Sequence, residues 1–143
     1  MSLDAFDADV LIFAVSPNHQ HRKVLLGLFE RAARSGAMAG VGSVMLLPEI
    51  LSKPLRDDSA DQIDDLGQLL AHLDLRPVDA HVARLAVVLA ATYRLKAADA
   101  VHLATAVNAG AGRFITNNKK DFRKSIAEID ITYPDDLLAD EAT

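Results

Sequence analysis

The chain has 143 residues, of which 50% are apolar, and its formal net charge at pH 7 is −5. A chain of this length forms one domain that can bury its own core. The absence of cysteine excludes disulfides, thiolate metal sites and a cysteine nucleophile. The apolar runs are too short to cross a bilayer, and no secretory signal opens the sequence, so we expect a soluble cytoplasmic protein with no membrane association.

The predicted elements alternate between short strands and helices. A strand ends near Asp7 and leads into a helical turn, after which an amphipathic helix covers residues 19–35. The middle of the chain is predicted to hold a strand over 38–41, a helix from about Leu46, a polar connection over 52–58 and a helix over 60–73. The remainder is predicted to hold a strand over 75–78, a helix over 81–94, a loop over 94–96, a helix over 97–109, and strands over 113–116 and 128–133.

This alternation predicts the fold class. Short strands separated by helices pair in parallel through helical crossovers. We therefore expect an α/β domain over residues 1–133, with three layers, α/β/α, around a short-stranded, mainly parallel central sheet. Pro134 ends the last strand, and we expect the acidic segment 134–143 to be a frayed tail.

Acidic residues among apolar neighbours are the candidates for chemistry. Asp7 ends the first strand, Glu49 lies near the start of an apolar helix, Asp99 lies in the first turn of another, and Asn118 follows a strand. Ligands of open α/β sheets bind outside the carboxyl ends of the strands. Carboxylates that converge there repel one another unless a cation compensates, and oxygen ligands favour Mg²⁺ or Mn²⁺. These residues predict a metal-dependent phosphodiesterase or phosphatase.

Four segments form a series of motifs along nearly the whole chain. They are Asp7-Ala8-Asp9-Val10-Leu11-Ile12, then Ser43 to Glu49, then Ala98-Asp99-Ala100-Val101-His102-Leu103-Ala104-Thr105-Ala106, and Phe114-Ile115-Thr116-Asn117-Asn118-Lys119-Lys120-Asp121-Phe122. In this order and spacing they resemble the PIN-domain ribonucleases, of the kind found as VapC-type toxins in bacterial toxin–antitoxin pairs. The resemblance implies that Asp7, Glu49 and Asp99 are catalytic metal ligands.

The sequence departs from the family pattern at one position. The fourth family acid usually follows a Thr-Asn pair, and Asn118 stands there. An amide oxygen can bind a hard cation but brings no charge, so Asp9 and Asp121 are further candidate ligands. On this basis Asn118→Asp is expected to raise metal affinity and activity. Asp9 fits a helix N-cap equally well.

Other residues are candidates for supporting roles. His102 lies one turn after Asp99 and can orient a carboxylate, and Thr116 fits a backbone or water contact at the strand end. Five of the fifteen basic residues fall within twelve positions: Arg113, Lys119, Lys120, Arg123 and Lys124. Among them Lys119, Lys120 and Arg123 are the candidate RNA contacts, and the alternative is a solvated loop.

The resemblance implies a Mg²⁺- or Mn²⁺-dependent endoribonuclease that cleaves RNA phosphodiester bonds. It also implies a toxin that forms a homodimer and binds a small antitoxin protein. Two alternatives stay open. Asn118 favours a PIN-like interaction module with weakened catalysis. The run Phe6-Asp7-Ala8-Asp9 also resembles the nucleophile motif of haloacid-dehalogenase-type phosphatases, although the Lys and acidic pair of that family do not follow in suitable order.

Overall fold

The computed structural model describes residues 3–142 of the chain. The strands within that range are β1 (Asp4–Phe6), β2 (Gly40–Ser43), β3 (Leu73–Arg76), β4 (Arg113–Ile115) and β5 (Asp130–Thr132). The helices are α1 (Ala8–Val15), α2 (Arg22–Ser35), α3 (Leu46–Arg56), α4 (Ala60–Leu70), α5 (Ala80–Tyr93), α6 (Ala97–Asn108) and α7 (Pro134–Ala142). None of these helices is long and apolar enough to cross a membrane.

The strands form one sheet in the order β3-β2-β1-β4-β5, and every neighbouring pair is parallel. β1 is the central strand, and Phe6 at its carboxyl end lies opposite Ile115 at the carboxyl end of β4. Because the strands run the same way, the residues that follow them meet at one edge of the sheet. The predicted parallel sheet is confirmed.

A separate apolar core covers each face of the sheet. Successive side chains of a strand point to opposite faces, which places Phe114 in one core and Ile115 in the other. The first core packs α5 and α6 against the sheet through Leu89 and Leu103. The second core packs α1, α2, α3, α4 and α7, with Leu11 fully buried. Helices therefore enclose the sheet from both sides, which confirms the three-layer α/β/α prediction.

Two strands are displaced by two residues from their predicted positions. β2 begins at Gly40 and β3 at Leu73, whereas the predicted strands begin at 38 and 75. Glycine is a poor strand former, so sequence patterns weigh against a strand that holds two of them. Here the missing side chain is required, because a Cβ on Gly40 would lie 2.2 Å from the backbone oxygen of Asp4. The glycine permits the close pairing of β2 with β1.

The polar connection predicted over residues 52–58 is largely wrong, because α3 continues to Arg56. Pro54 lies inside this helix, where the lost hydrogen bond and the ring together cost about 3 kcal/mol. The helix persists because Leu46, Ile50 and Pro54 recur every four residues on one buried face. Burial of this apolar face offsets the cost of the proline.

The C-terminal segment is a docked helix, so the prediction of fraying after Pro134 is wrong. Proline fits the first turn of a helix because its missing N–H has no partner there, and α7 begins at Pro134. Leu137 is only 4% exposed and belongs to the second core. The backbone N–H of Tyr133 donates to Asp136 Oδ2 (2.9 Å) at the start of the helix. Residues 1, 2 and 143 of the predicted ranges lie outside the described residues.

Candidate active site

Asp7 is fixed at the carboxyl end of the central strand. Its backbone N–H donates to the Ile115 oxygen (3.0 Å), which continues the pairing of β1 with β4. Its Oδ1 accepts from the Ala8 N–H (2.8 Å), so Asp7 is the N-cap of α1, and its Oδ2 accepts from Thr116 Oγ1 (2.7 Å). Burial raises the pKa of Asp7, and the bond from Thr116 opposes this rise. The carboxyl group is therefore held rigidly in a place that disfavours its charge.

Asp9 lies in the first turn of α1, beside Asp7, and is not the N-cap. Its Oδ2 accepts from the Asn117 backbone N–H (3.1 Å), whereas its Oδ1 is buried and has no hydrogen-bond partner among the described residues. Burial is the main cause that raises the pKa of Asp9, and repulsion from Asp7 is the second; together they raise it to about 7. A buried oxygen that lacks a donor is costly, so this atom is suited to a cation.

Glu49 and His102 form a pair across two helices. Glu49 lies in the first turn of α3, and its Oε1 is 3.0 Å from Nε2 of His102 on α6. The imidazole is 2% exposed, and its Nδ1 is buried with no partner among the described residues. The side chain of Glu49 is 32% exposed. His102 therefore fixes the direction of a carboxylate that would otherwise move in solvent.

Asp99 lies in the first turn of α6, between the other acids. Burial raises its pKa, and so does repulsion from Asp7, Asp121 and Glu49 in that order. Repulsion from Asp7 and Asp99 likewise contributes to the raised pKa of Asp9. These five residues, which we name the carboxylate cluster, are Asp7, Asp9, Glu49, Asp99 and Asp121. The structure thus brings together acids that are far apart in the sequence.

Asn118 and Thr116 support the cluster from the segment after β4. Asn118 Nδ2 donates to Asp121 Oδ2 (3.0 Å), and Asn118 Oδ1 accepts from the Asp121 backbone N–H (3.3 Å). The backbone N–H of Asn118 donates to Thr116 Oγ1 (3.1 Å), so this hydroxyl links the segment to Asp7. Both polar atoms of the Asn118 amide are hydrogen-bonded to Asp121, and Asp121 carries the negative charge that Asn118 lacks.

The basic residues near Asn118 do not form a continuous free rim. Lys119 pairs with Asp135 (2.9 Å), Lys124 pairs with Asp136, and both ammonium groups lie over the Tyr133 ring. Arg113 donates to Asp4 through two bonds, of 2.8 and 2.9 Å. Among the five basic residues, only Lys120 and Arg123 lack an acidic partner in residues 3–142. Sequence reasoning missed a third cation near them, Arg94, because it lies 26 residues before Lys120 in the chain.

The chemistry of the cluster fits a divalent metal ion. Carboxylates whose pKa values are raised by burial and by repulsion from one another are stabilised by a hard cation, and Asp9 Oδ1 has no hydrogen-bond partner within residues 3–142. Within residues 3–142, however, no three His, Asp or Glu side chains are already arranged to hold a metal ion.

Comparison with known proteins gives a family and several structures of similar fold. The model of the PIN domain family matches residues 5–126. A toxin–antitoxin complex from Klebsiella pneumoniae is similar, with 24% identity over 93% of this chain and 98% of that chain and a TM-score of 0.69. VapBC2 from Rickettsia felis, bound to a promoter DNA fragment, has 15% identity over 92% and 98% of the two chains and a TM-score of 0.71. DNA-bound VapBC from Salmonella typhimurium has 18% identity over 94% and 99% and a TM-score of 0.66. No curated protein sequence gives a significant match.

Proposed function

Because the chain belongs to the PIN domain family, we propose that it is a metal-dependent endoribonuclease and the toxin of a toxin–antitoxin pair. The observation that carries this proposal is the carboxylate cluster at the carboxyl ends of β1 and β4. Five acids lie there with raised pKa values at Asp7, Asp9 and Asp99. Burial is the main cause of these raised pKa values and repulsion between the acids adds to it, as is expected where a cation binds. The phosphatase alternative gains no support, since the matched family is the PIN domain.

Asp7, Glu49 and Asp99 would hold the metal, with Asp9 and Asp121 as the additional acids and Asn118 in support. Mg²⁺ or Mn²⁺ suits this all-oxygen donor set. Such an ion supplies a water of lowered pKa and stabilises charge on the phosphate.

The residues around these acids set their positions. Thr116 Oγ1 donates to one carboxylate oxygen of Asp7, and the Ala8 N–H donates to the other, so this carboxylate cannot rotate. His102 holds Glu49, and Asn118 holds Asp121, from opposite sides of the cluster. A displacement at phosphorus depends on such positioning, because small errors in geometry reduce the rate strongly.

The proposed partners follow from the similar structures. All three are complexes of a toxin with its antitoxin, which supports a small antitoxin protein as partner of this chain. We also propose a homodimer, an RNA substrate and a cytoplasmic site of action. RNA carries the phosphodiester that the cluster is suited to cleave.

A cleavage assay with site variants tests the proposal. Purified protein is incubated with total RNA and Mn²⁺, Mg²⁺ or chelator, and the expected result is cleavage that requires a metal. Asp7→Ala and Asp99→Ala are each expected to abolish cleavage and to keep the wild-type circular dichroism spectrum. Asp64→Ala, at an exposed position of α4, is the matched control and should cleave normally. Cleavage that persists in both site variants would contradict the assignment.

The second candidate is an interaction module with weakened catalysis. Asn118 in place of an acid and the absence of a ready three-donor group among residues 3–142 favour it. Under this alternative the folded protein retains its antitoxin but cleaves no RNA with either metal. A melting temperature that does not respond to Mn²⁺ or Mg²⁺ would support the module and oppose the nuclease.

A further inference from the structure

A cleft of about 430 Å³ opens beside the carboxylate cluster. Its walls come from the C-terminal end of α5 and from the segment after β4. Three cationic side chains line it, namely Arg94, Lys120 and Arg123, together with the hydroxyl-bearing residues Thr92 and Ser125. Its volume is within the range of about 300–1,000 Å³ that is usual for ligand sites. The cleft is therefore large enough to hold part of a substrate.

Asp121 joins this cleft to the carboxylate cluster. The residue lines the cleft, and its charge also raises the pKa of Asp99. A ligand that occupies the cleft would therefore lie next to Asp121, which belongs to the cluster.

The cations of the cleft differ from their neighbours because no acid neutralises them. The ammonium and guanidinium groups of Lys119, Lys124 and Arg113 each pair with an aspartate. In the part of the chain that the structure describes, Arg94, Lys120 and Arg123 form no such pair. The one hydrogen bond of their side chains runs from Arg123 Nε to the Lys120 backbone oxygen (3.3 Å). Their charges are available to a ligand.

The backbone of Arg94 adds an independent observation. Arg94 ends α5 in the left-handed conformation, with φ +57° and its N–H bonded to the Ala90 oxygen. Glycine and asparagine adopt this conformation readily, whereas a residue such as arginine pays about 1 kcal/mol. A strained residue of this kind often marks a functional position. The side chain that follows this helix end lines the cleft.

We propose that this cleft binds the phosphodiester backbone of the RNA strand next to the bond that is cleaved. The proposal rests on the proposed nuclease function and names the part of the chain that holds its substrate. Cations and hydroxyls are the groups that contact phosphate and sugar oxygens without reading the base sequence. Three cations against a single acid favour a polyanion over a neutral ligand.

A binding experiment tests the cleft separately from catalysis. All proteins carry Asp99→Asn and are measured in chelator with a short labelled single-stranded RNA, so cleavage plays no part. The cleft variant combines Arg94→Asn, which suits the left-handed backbone, with Lys120→Gln. The control variant combines Lys23→Gln on α2 with Arg84→Gln on α5, both at exposed positions outside the cleft. The two variants have the same net charge.

The expected result is a Kd about tenfold higher for the cleft variant, with a salt dependence that is less steep. Each phosphate contact contributes about 0.7 to the slope of log Kd against log salt for a single strand, so the slope falls by about 1.4. The control variant should keep the parent slope. Equal slopes for the two variants would overturn the proposal. If the wild type cleaves RNA and the slopes are equal, only the cleft fails. If it does not cleave but the slopes differ, the nuclease fails and the cleft keeps its contact with the RNA backbone without a bond to cleave beside it.

Discussion

Asn118 and Asp121 hold each other through two hydrogen bonds, one from the Asn118 amide to the Asp121 carboxylate (3.0 Å) and one from the Asp121 N–H to the Asn118 oxygen (3.3 Å). This relationship changes the meaning of the amide. On sequence alone, Asn118 stands where a charge is missing. In the structure it orients a neighbour that carries the charge, because the turn between them brings Asp121 within the field of Asp99.

Asn118→Asp is therefore expected to destabilise the metal-free protein, and the gain in metal affinity and activity expected from the sequence is a separate prediction for the metal-bound protein. The change replaces a donor to Asp121 Oδ2 by a second carboxylate and adds repulsion. The loss of a hydrogen bond to a charged group costs about 1.5 kcal/mol. Urea denaturation in chelator measures this loss. Asn118→Ser, which adds no charge, is the control, and a more stable Asn118→Asp protein would refute the role of the amide.

Removal of His102 should weaken metal binding without direct loss of a ligand. His102→Leu leaves Glu49 without its partner at 3.0 Å, and loss of a group that orients a ligand typically lowers metal affinity about 10- to 100-fold. Isothermal titration with Mn²⁺ measures the affinity. His102→Gln keeps a polar donor and should restore part of it. Equal affinities for His102→Leu and the wild type would show that Glu49 does not depend on the imidazole.

Stability should fall with rising pH in the metal-free protein. The pKa of Asp9 is raised from 3.8 to about 7 in the folded state, so between these values the folded protein binds more protons than the unfolded protein. The free energy of unfolding therefore decreases as pH rises through this window, by up to about 1.4 kcal/mol for each unit of pKa difference. The pKa values of Asp7 and Asp99 are raised too, so these two residues also make the free energy of unfolding decrease as pH rises.

Thermal melts in chelator between about pH 5 and pH 8 check this dependence. Asp9→Asn should flatten the profile, and Mn²⁺ should restore stability mainly at the alkaline end, where the carboxylates are charged. A metal-free protein that becomes more stable from pH 5 to pH 8 would contradict the raised pKa of Asp9.

Leu137→Ala is expected to lower the free energy of unfolding by about 2–3 kcal/mol, because Leu137 is 4% exposed in the second core. Leu138→Ala, one residue later and 44% exposed, is the matched control and should change it by less than about 0.5 kcal/mol. Urea denaturation of the two variants measures the difference. Equal effects would indicate that α7 does not dock as described.

Local patterns determined much of the fold. Alternating strands and helices lead to one parallel sheet with helices on both faces because right-handed crossovers leave few other arrangements. Asp79 is a typical helix N-cap residue, and it accepts from the Val82 N–H (2.9 Å) at the start of α5. Burial overrides local preference at the glycines of β2 and at Pro54 inside α3. The predicted β3 was also displaced by two residues, and α7 begins at Pro134, which fits the first turn of a helix.

The sequence by itself determined which acids are candidates for the site, since Asp7, Glu49 and Asp99 stand among apolar residues where an unpaired charge is costly. Only the tertiary structure decided which charges remain available there. Lys119 lies beside Asn118 in sequence but is paired with Asp135 of α7, whereas Arg94 is 26 residues from Lys120 in sequence and lines the cleft with it. Pairing and proximity depend on how the chain folds back on itself, and no local spacing encodes them.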